Sequence, residues 1–247
     1  MDRIHRFPKI ISHRGVCRRH IENTIPALKA AKDENVDMIE MDVHETGDGR
    51  FIVFHDARLN PDTPPWRNLT YPQVQAVTGH DDRAPLLSDC LEAIRSVPVN
   101  IEIKHFRKAD NFSKELEASP ISEGSVVSSS HVDLLERLHR GGLRLPLMLV
   151  VSISSRRTLG QNMRNAVWCM VPGLLPGFLD GAAVHHRLLR KKFVSSMQRR
   201  GARVFAWTVD DRNDMEKFIS WTVDGIISNY PDRLQALKHR SSPSETG

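Results

Sequence analysis

Acidic residues inside two apolar segments are the first residues whose spacing could do chemistry. In MIEMDV, residues 38–43, Glu40 and Asp42 stand two positions apart, and in IEIK, Glu102 and Lys104 repeat that spacing. Residues two apart on a strand point to one face, about 7 Å apart along the backbone. Three carboxylates without thiolates are typical of a site for one divalent cation, Mg²⁺ or Ca²⁺. Solvated carboxylates, or carboxylates paired with lysine, are the alternative that the spacing leaves open.

Two histidines end similar apolar segments. His13 follows IIS and His55 follows FIVF, where barrel strands would reach the carboxyl-terminal face that carries barrel active sites. Paired histidines can act as acid and base near neutral pH. A single histidine among the chain's 12 would more often be structural, but Arg14 and Lys104 accompany this pair, and both can bind phosphate oxygens. Together with a metal, the set favours a phosphodiester over a phosphomonoester or a carboxylate substrate, because a leaving alkoxide must be protonated.

The composition is that of an ordinary globular protein. The 247 residues are 40% hydrophobic and 26% charged, which fits a single domain with a substantial core. We expect this domain over residues 1–240 and a disordered polar tail over 241–247. The sequence has no apolar signal segment and no run of about 18 apolar residues, so we predict a cytoplasmic protein without a membrane span. Cys17, Cys90 and Cys169 lack the spacing of a disulfide framework or a zinc site.

Strand and helix patterns alternate along the chain. Nine short strand-like segments occur, and most precede an amphipathic segment such as HVDLLERLHRGG, residues 131–142. The second and third strands, residues 38–43 and 51–56, are joined only by HETGDG, whose glycines fit a tight turn. One of these two is therefore expected to be an excursion or an antiparallel extension, which leaves eight parallel strands. The sequence predicts an α/β fold, a single-domain TIM (β/α)8 barrel.

Two regions fit this alternation poorly. Residues 56–85 are rich in proline and polar residues and predict a long loop with at most one short helix. Long loops of this kind often act as lids over a site. Residues 156–179 predict a helix followed by an irregular turn.

Positive charge is concentrated in one segment. The chain has a net charge of +5, and its densest basic block is residues 185–203, HHRLLRKKFVSSMQRRGAR. Its apolar positions recur at helical spacing, at Leu188, Leu189, Phe193, Val194 and Met197. We interpret the block as the solvated face of an amphipathic outer helix, with nucleic-acid or membrane-surface binding as the alternative. Because no aromatic interleaving or nucleic-acid motif accompanies it, we expect no nucleic-acid partner.

Taken together, these motifs resemble those of the glycerophosphodiester phosphodiesterase family. The matching segments occur in family order and are SHRG, ENT, IEMDVHETGDGRFIVFHD, IEIK, WTVDD and DGIISNYPD. The resemblance is dense over residues 8–60, local at 100–105 and good again over 201–234. It implies a phosphodiesterase TIM barrel that hydrolyses a small-molecule phosphodiester to an alcohol and a phosphomonoester. The substrate would be a glycerophosphodiester or a related sugar phosphodiester.

The resemblance also implies roles for eight residues. The roles are acid and base for His13 and His55, metal ligands for Glu40, Asp42 and Glu102, phosphate contacts for Arg14 and Lys104, and a pocket wall for Trp207. The alternative for Trp207 is an ordinary core aromatic of a barrel strand. By analogy with the family, either the hydroxyl beside the phosphoester or water could attack phosphorus, and these residues are compatible with both routes. The two histidines are therefore assigned as a pair.

The chain departs from the family pattern where loops would meet the alcohol. It has HIENT where the family usually has proline before ENT, and HDARLNPDTPPW where the family has a stretch resembling HDxTLDRTT. These departures concern the alcohol more than the reaction. The alternatives are a related sphingomyelinase D or phospholipase D-like barrel enzyme and a noncatalytic barrel that binds phosphorylated ligands. The sequence does not decide the oligomeric state.

Overall fold

A closed barrel of eight parallel strands forms the centre of the protein in the computed structural model, which describes residues 6–79, 83–153 and 158–241. The barrel strands are β1 (Lys9–His13), β2 (Met38–Glu45), β4 (Val99–His105), β5 (Val126–Ser129), β6 (Leu147–Val151), β7 (Gly181–His185), β8 (Arg203–Trp207) and β9 (Gly225–Ser228), and a ninth strand, β3 (Phe51–Val53), lies outside the barrel. β1 pairs with both β2 and β9, which closes the barrel. The predicted TIM barrel is confirmed.

Helices connect the barrel strands and cover them from outside. They are α1 (Ile25–Asp33), α2 (Tyr71–Thr78), α3 (Leu87–Ala93), α4 (Ala109–Glu117), α5 (Val132–Arg140), α6 (Leu159–Met170), α7 (Lys191–Arg199), α8 (Arg212–Ser220) and α9 (Pro231–Ser241). Each buries the apolar side of its amphipathic pattern, as α5 does with Leu134, Leu135 and Leu138. Within the described residues, no helix combines the length and the apolar character that crossing a bilayer requires.

The period-two pattern of the strands decides which side chains enter the barrel. In β2, Ile39, Met41 and Val43 belong to the cluster between barrel and helices. Glu40 and Asp42, between them, therefore point inward. The barrel interior beneath them is filled by a small apolar cluster, which consists of Ile11, Met38, Val126, Met148, Val150, Ala183, Phe205 and Ile227.

β3 is the predicted excursion from the barrel. β2 extends beyond the barrel, turns at residues 46–50 and returns as β3, which pairs antiparallel with β2. Gly49 has a φ of +83° in this turn, a conformation that glycine adopts without steric cost. The sequence predicted that His55 ends a barrel strand, and this prediction is wrong, because β3 lies outside the barrel. His55 reaches the carboxyl-terminal face because the chain returns there, with the Phe54 amide donating to the Asp42 carbonyl at 3.0 Å.

The two irregular regions also have defined structure. Residues 56–79 hold a 3₁₀ turn (Trp66–Asn68) in addition to α2, and they pack with β3 around the buried Trp66. After α6 comes a second 3₁₀ turn (Pro172–Leu174), so the predicted helix with an irregular turn is confirmed; residues 154–157 lie outside the described residues. α9 includes Ser241, and residues 242–247 of the predicted tail lie outside the described residues.

Candidate active site

Three carboxylates converge at the carboxyl-terminal end of the barrel. Asp42 of β2 is the register partner of Glu102 of β4, and Glu40 lies two residues before Asp42 on the same inward face. One ligand oxygen from each of the three residues lies within 4.8 Å of the other two. Glu40 and Asp42 are buried and Glu102 is half-buried. The donor set is made of hard oxygen ligands and can hold a divalent cation.

Two cations compensate part of this negative charge. Arg14 Nε lies 2.9 Å from Asp42 Oδ2, and Lys104 Nζ lies 2.8 Å from Asp42 Oδ1 and 2.6 Å from Glu102 Oε1. Burial alone would raise the pKa of Asp42, but Lys104 and Arg14 outweigh burial and hold that pKa below its usual value. Burial alone would lower the pKa of Lys104, and Asp42 and Glu102 raise it instead. Asp42 is therefore ionised and paired at neutral pH.

Glu40 is the carboxylate that the protein compensates least. Its Oε2 accepts a hydrogen bond from the Arg14 backbone amide at 3.2 Å and lies 3.9 Å from His13 Nε2, while the side chains of Arg14 and Lys104 pair with other carboxylates. Burial raises the pKa of Glu40 well above its usual value, and the charges of Asp42 and Glu102 raise it further. An added cation would remove this cost. The residues present therefore fit a divalent metal ion.

A strained turn places Arg14 above β2. Arg14 and Gly15 have φ values of +59° and +85°, a region that residues with side chains rarely adopt. A Cβ on Gly15 would lie 2.5 Å from the carbonyl carbon of Ala27, so this turn requires glycine. The turn is held by Asn23, whose backbone amide donates to the Arg14 carbonyl at 3.0 Å and whose side-chain amide donates to Asp42 Oδ2 at 2.9 Å.

His13 is oriented by a chain of polar contacts from the other side of the barrel seam. Asn229 Nδ2 donates to Asp210 Oδ2 at 2.8 Å. This contact fixes the amide so that Asn229 Oδ1 accepts from His13 Nδ1 at 2.8 Å. Nε2 of the neutral ring is then the proton acceptor, and it faces Glu40. Burial lowers the pKa of His13 and Arg14 lowers it further, against the Asn229 hydrogen bond, so the neutral form prevails at neutral pH.

His55 stands opposite, on the chain that returns from β3. Its Nδ1 lies 3.3 Å from Asp56 Oδ1, and its side chain is about one third exposed. His44 Nε2 donates to the His55 carbonyl at 3.2 Å and so fixes the backbone of this residue. Burial lowers the pKa of His44 to about 4, so this supporting imidazole stays neutral.

A cavity of about 610 Å³ joins these groups. Seven of the eight predicted site residues line it, and Asp42 lies beneath, in contact with Arg14 and Lys104. Trp207 lines the far wall and also packs on the apolar cluster inside the barrel. Its Nε1 donates to the Ala183 carbonyl at 3.0 Å, which fixes the ring.

A model of the glycerophosphoryl diester phosphodiesterase family matches residues 13–233. The chain belongs to this family. The predicted family membership is thereby confirmed, and with it the class of phosphoric diester hydrolases. The match also favours this family over the sphingomyelinase branch.

Sequence similarity to individual family members extends over nearly the whole chain. A glycerophosphodiester phosphodiesterase of Caldanaerobacter subterraneus is 26% identical, over 91% of this chain and 95% of its own length. The human lysophospholipase D GDPD1 is 21% identical, over 95% of this chain and 87% of its own length. The similarity to the family is therefore not confined to one motif.

Solved structures share the fold. A glycerophosphodiester phosphodiesterase from Parabacteroides distasonis superposes with a TM-score of 0.76 at 20% identity, covering 94% of this chain and 97% of that one. A phosphodiesterase from Oleispira antarctica, determined in complex with the product sn-glycerol-3-phosphate, gives 0.74 at 20% identity, with the same coverage of 94% and 97%. Identity this low shows the barrel architecture alone.

Several residues at the site were not assigned from the sequence. Asn23, Asp210 and Asn229 orient predicted site residues, although all three stand in segments that resemble the family, ENT, WTVDD and DGIISNYPD. His131 and His185 also line the cavity, and the His185 ring packs edge-on against Trp207. The signal for both histidines was present, because each follows or ends a barrel strand, as His13 does.

Proposed function

We propose that the chain hydrolyses a glycerophosphodiester to an alcohol and a phosphomonoester, with the help of one divalent cation. The observation that carries this proposal is the convergence of three carboxylates, two cationic side chains and two imidazoles on one cavity. A phosphodiester reaction needs each of them: a cation site, partners for the phosphate oxygens, and groups that move protons.

The cation would be Mg²⁺ or Ca²⁺, held by Glu40, Asp42 and Glu102. When bound, it would polarise the phosphoryl group and neutralise charge on its oxygens. Arg14 and Lys104 would contact the remaining phosphate oxygens, since both line the cavity beside the carboxylates. Arginine can bind two oxygens at once and lysine acts as a point charge.

His13 and His55 would move the protons. The neutral His13 ring presents an unprotonated Nε2, so it is suited to accept the proton of the attacking hydroxyl, which comes from water or from the glycerol hydroxyl beside the ester. As the bond from phosphorus to the leaving oxygen breaks, His55 would donate a proton to that oxygen. If a cyclic phosphate forms first, the two residues exchange roles when water opens it, so they act as a pair.

The alcohol would occupy the wall formed by Trp207, His131 and His185. This wall offers an aromatic surface and two imidazoles. Relatives bear two kinds of name, glycerophosphodiester phosphodiesterase and lysophospholipase D. Both reactions cleave a phosphodiester of glycerol, and they differ in what else the diester carries.

A cytoplasmic location stays a prediction, which cell fractionation would test.

Phosphorus NMR of a panel of glycerophosphodiesters, sugar phosphodiesters and lysophospholipids tests the proposal. We expect metal-dependent conversion of one class to a monoester, loss of turnover in chelator and recovery with Mg²⁺ or Ca²⁺. His13→Ala and His55→Ala should abolish turnover with folding intact, while the matched control His239→Ala, at an exposed position of α9, should not. Tight binding of a diester without turnover would instead support a noncatalytic barrel.

A further inference from the structure

An apolar stripe lies exposed along α6 and the 3₁₀ turn after it. Six large apolar residues between 38% and 77% exposed form this α6 stripe, Leu159, Met163, Val167, Met170, Val171 and Leu174. They recur at helical spacing, while the opposite face of α6 buries Asn165 and Trp168 against the barrel. Among the described residues, only Ile21 and Ile153 are exposed to a similar degree. The stripe is therefore a coherent surface and not scattered exposure.

Basic residues lie beside the carboxyl-terminal end of the stripe. α7 packs against the turn at Pro172–Leu174, and Arg200 donates to the Pro172 carbonyl. α7 turns its apolar side inward and leaves Lys191, Lys192 and Arg199 exposed. The helical part of the basic block, residues 191–199, is thus the solvated face of an outer helix, as predicted, while the block also includes the end of β7 and the start of β8.

The positive charge of the whole chain is concentrated here. Residues 158–203 contain eight Lys and Arg residues and one acidic residue, Asp180, which gives +7. The whole chain has +5, so the remaining residues together carry −2. An apolar stripe beside a dense positive field complements a surface that is apolar below and anionic above, which describes a lipid layer with anionic headgroups.

The stripe is continuous with the mouth of the active-site cavity. Gln161, on the first turn of α6, lines the cavity, and so does the exposed Ile153, the last described residue before the gap at 154–157. A surface docked on the stripe would therefore lie beside the cavity opening.

Other partners fit this surface less well. A second copy of the chain would bring +7 against +7. A nucleic acid would meet the positive charge but would gain nothing from exposed methionine and leucine, and the aromatic residue of α6, Trp168, is buried. Exposed aromatic rings are what single-stranded nucleic acids stack on.

We propose that the α6 stripe docks on a lipid surface that carries anionic headgroups, with the basic residues of α7 contacting the headgroups. The test of this docking measures binding to vesicles and not turnover, so it can fail or succeed independently of the proposed reaction. The test is co-sedimentation of the full chain with vesicles of phosphatidylcholine alone and of phosphatidylcholine with phosphatidylglycerol. We expect binding to the second kind, weakened by salt.

Two double variants separate the apolar and the charged contributions. Met163→Ser with Met170→Ser should weaken binding at least about tenfold, because two exposed thioether chains no longer enter the lipid. Lys191→Gln with Lys192→Gln should weaken vesicle binding, and the remaining binding should depend less on the salt concentration. The matched controls are Ile21→Ser, an exposed apolar residue off the stripe, and Lys29→Gln with Lys114→Gln, two exposed lysines on other helices. Both controls should bind as the wild type does.

Several outcomes would overturn the proposal. Wild-type binding by the methionine variant would show that the stripe does not enter the lipid. Vesicle binding lost only in the Lys191 and Lys192 variant would show that the attraction is purely electrostatic and that the stripe does not enter the lipid. Absence of vesicle binding, together with a dimer in sedimentation velocity that the methionine variant abolishes, would assign the stripe to a second copy of the chain.

Discussion

Replacing Glu40 with glutamine should separate stability from metal binding. The carboxylate of Glu40 lies within 4.8 Å of two others, and the side chains of Arg14 and Lys104 pair elsewhere. Like charges at 4.8 Å repel by about 3 kcal/mol at an effective dielectric constant of about 20. Because burial and its neighbours raise the pKa of Glu40, partial protonation already relieves some of this cost. We expect the substitution to stabilise the metal-free fold by about 1 to 3 kcal/mol.

The assay is thermal unfolding in chelator and in metal. A gain of about 1 to 3 kcal/mol raises Tm by about 2 to 12 °C for a chain of this size. Metal at about 100 times its Kd should stabilise the wild type by about 2.7 kcal/mol, or about 5 to 11 °C, and the variant hardly at all. Glutamine keeps an oxygen for the Arg14 backbone amide, so the local hydrogen bond survives.

The control and the refuting results are specific. Glu136→Gln removes an exposed carboxylate that pairs with Arg140 on α5, and it should change stability by less than about 0.5 kcal/mol and leave the metal response intact. A Glu40→Gln variant that is less stable than the wild type in chelator would show that the protein itself compensates this charge. An unchanged response to metal would remove Glu40 from the ligand set.

Three further predictions follow from single contacts. Asn229→Ala removes a hydrogen bond that raises the pKa of His13. The acid limb of the pH profile of kcat/KM should therefore move to lower pH, and kcat should fall. An acid limb that does not move would show that Asn229 does not affect the pKa of the catalytic base. Gly15→Ala should cost more than about 3 kcal/mol in chemical denaturation, because its Cβ would meet the backbone of α1 at a positive φ. Gly142→Ala, at a φ of +79° with open space around it, is the control and should cost about 1 kcal/mol; equal costs would mean that the close approach is unimportant. Burial raises the pKa of the Cys169 thiol to about 11, so little thiolate exists at pH 8. This thiol should therefore react with disulfide reagents far more slowly in the folded protein than in denaturant. Peptide mapping of the labelled cysteines would measure both rates.

The inward carboxylates could be predicted because their position depends on local pattern alone. Ile39, Met41 and Val43 alternate with them, so once β2 is a barrel strand, its parity sends Glu40 and Asp42 to the other face. The tight turn after β2 was likewise readable from its glycines. These are properties of a few consecutive residues.

The support of the two histidines could not be predicted in the same way. His13 depends on Asn229, which lies 216 positions away in the chain and meets it only when β1 and β9 close the barrel. His55 reaches the site through the antiparallel return of β3, and not at the end of a barrel strand. Local periodicity does not encode either contact, because both depend on which strands are neighbours.

The charge of the site links the metal to the substrate. Glu40, Asp42 and Glu102 together with Arg14 and Lys104 sum to −1 when all three carboxylates are ionised. Glu22, whose Oε1 lies 2.9 Å from Arg14 Nη1, adds a further negative charge. Such a cavity repels a phosphodiester anion, and its two cationic side chains are already paired with acids. A divalent cation among the carboxylates would make the sum more positive by two units and so favour an anionic substrate. The residues that would hold the cation therefore make the affinity for the substrate depend on it.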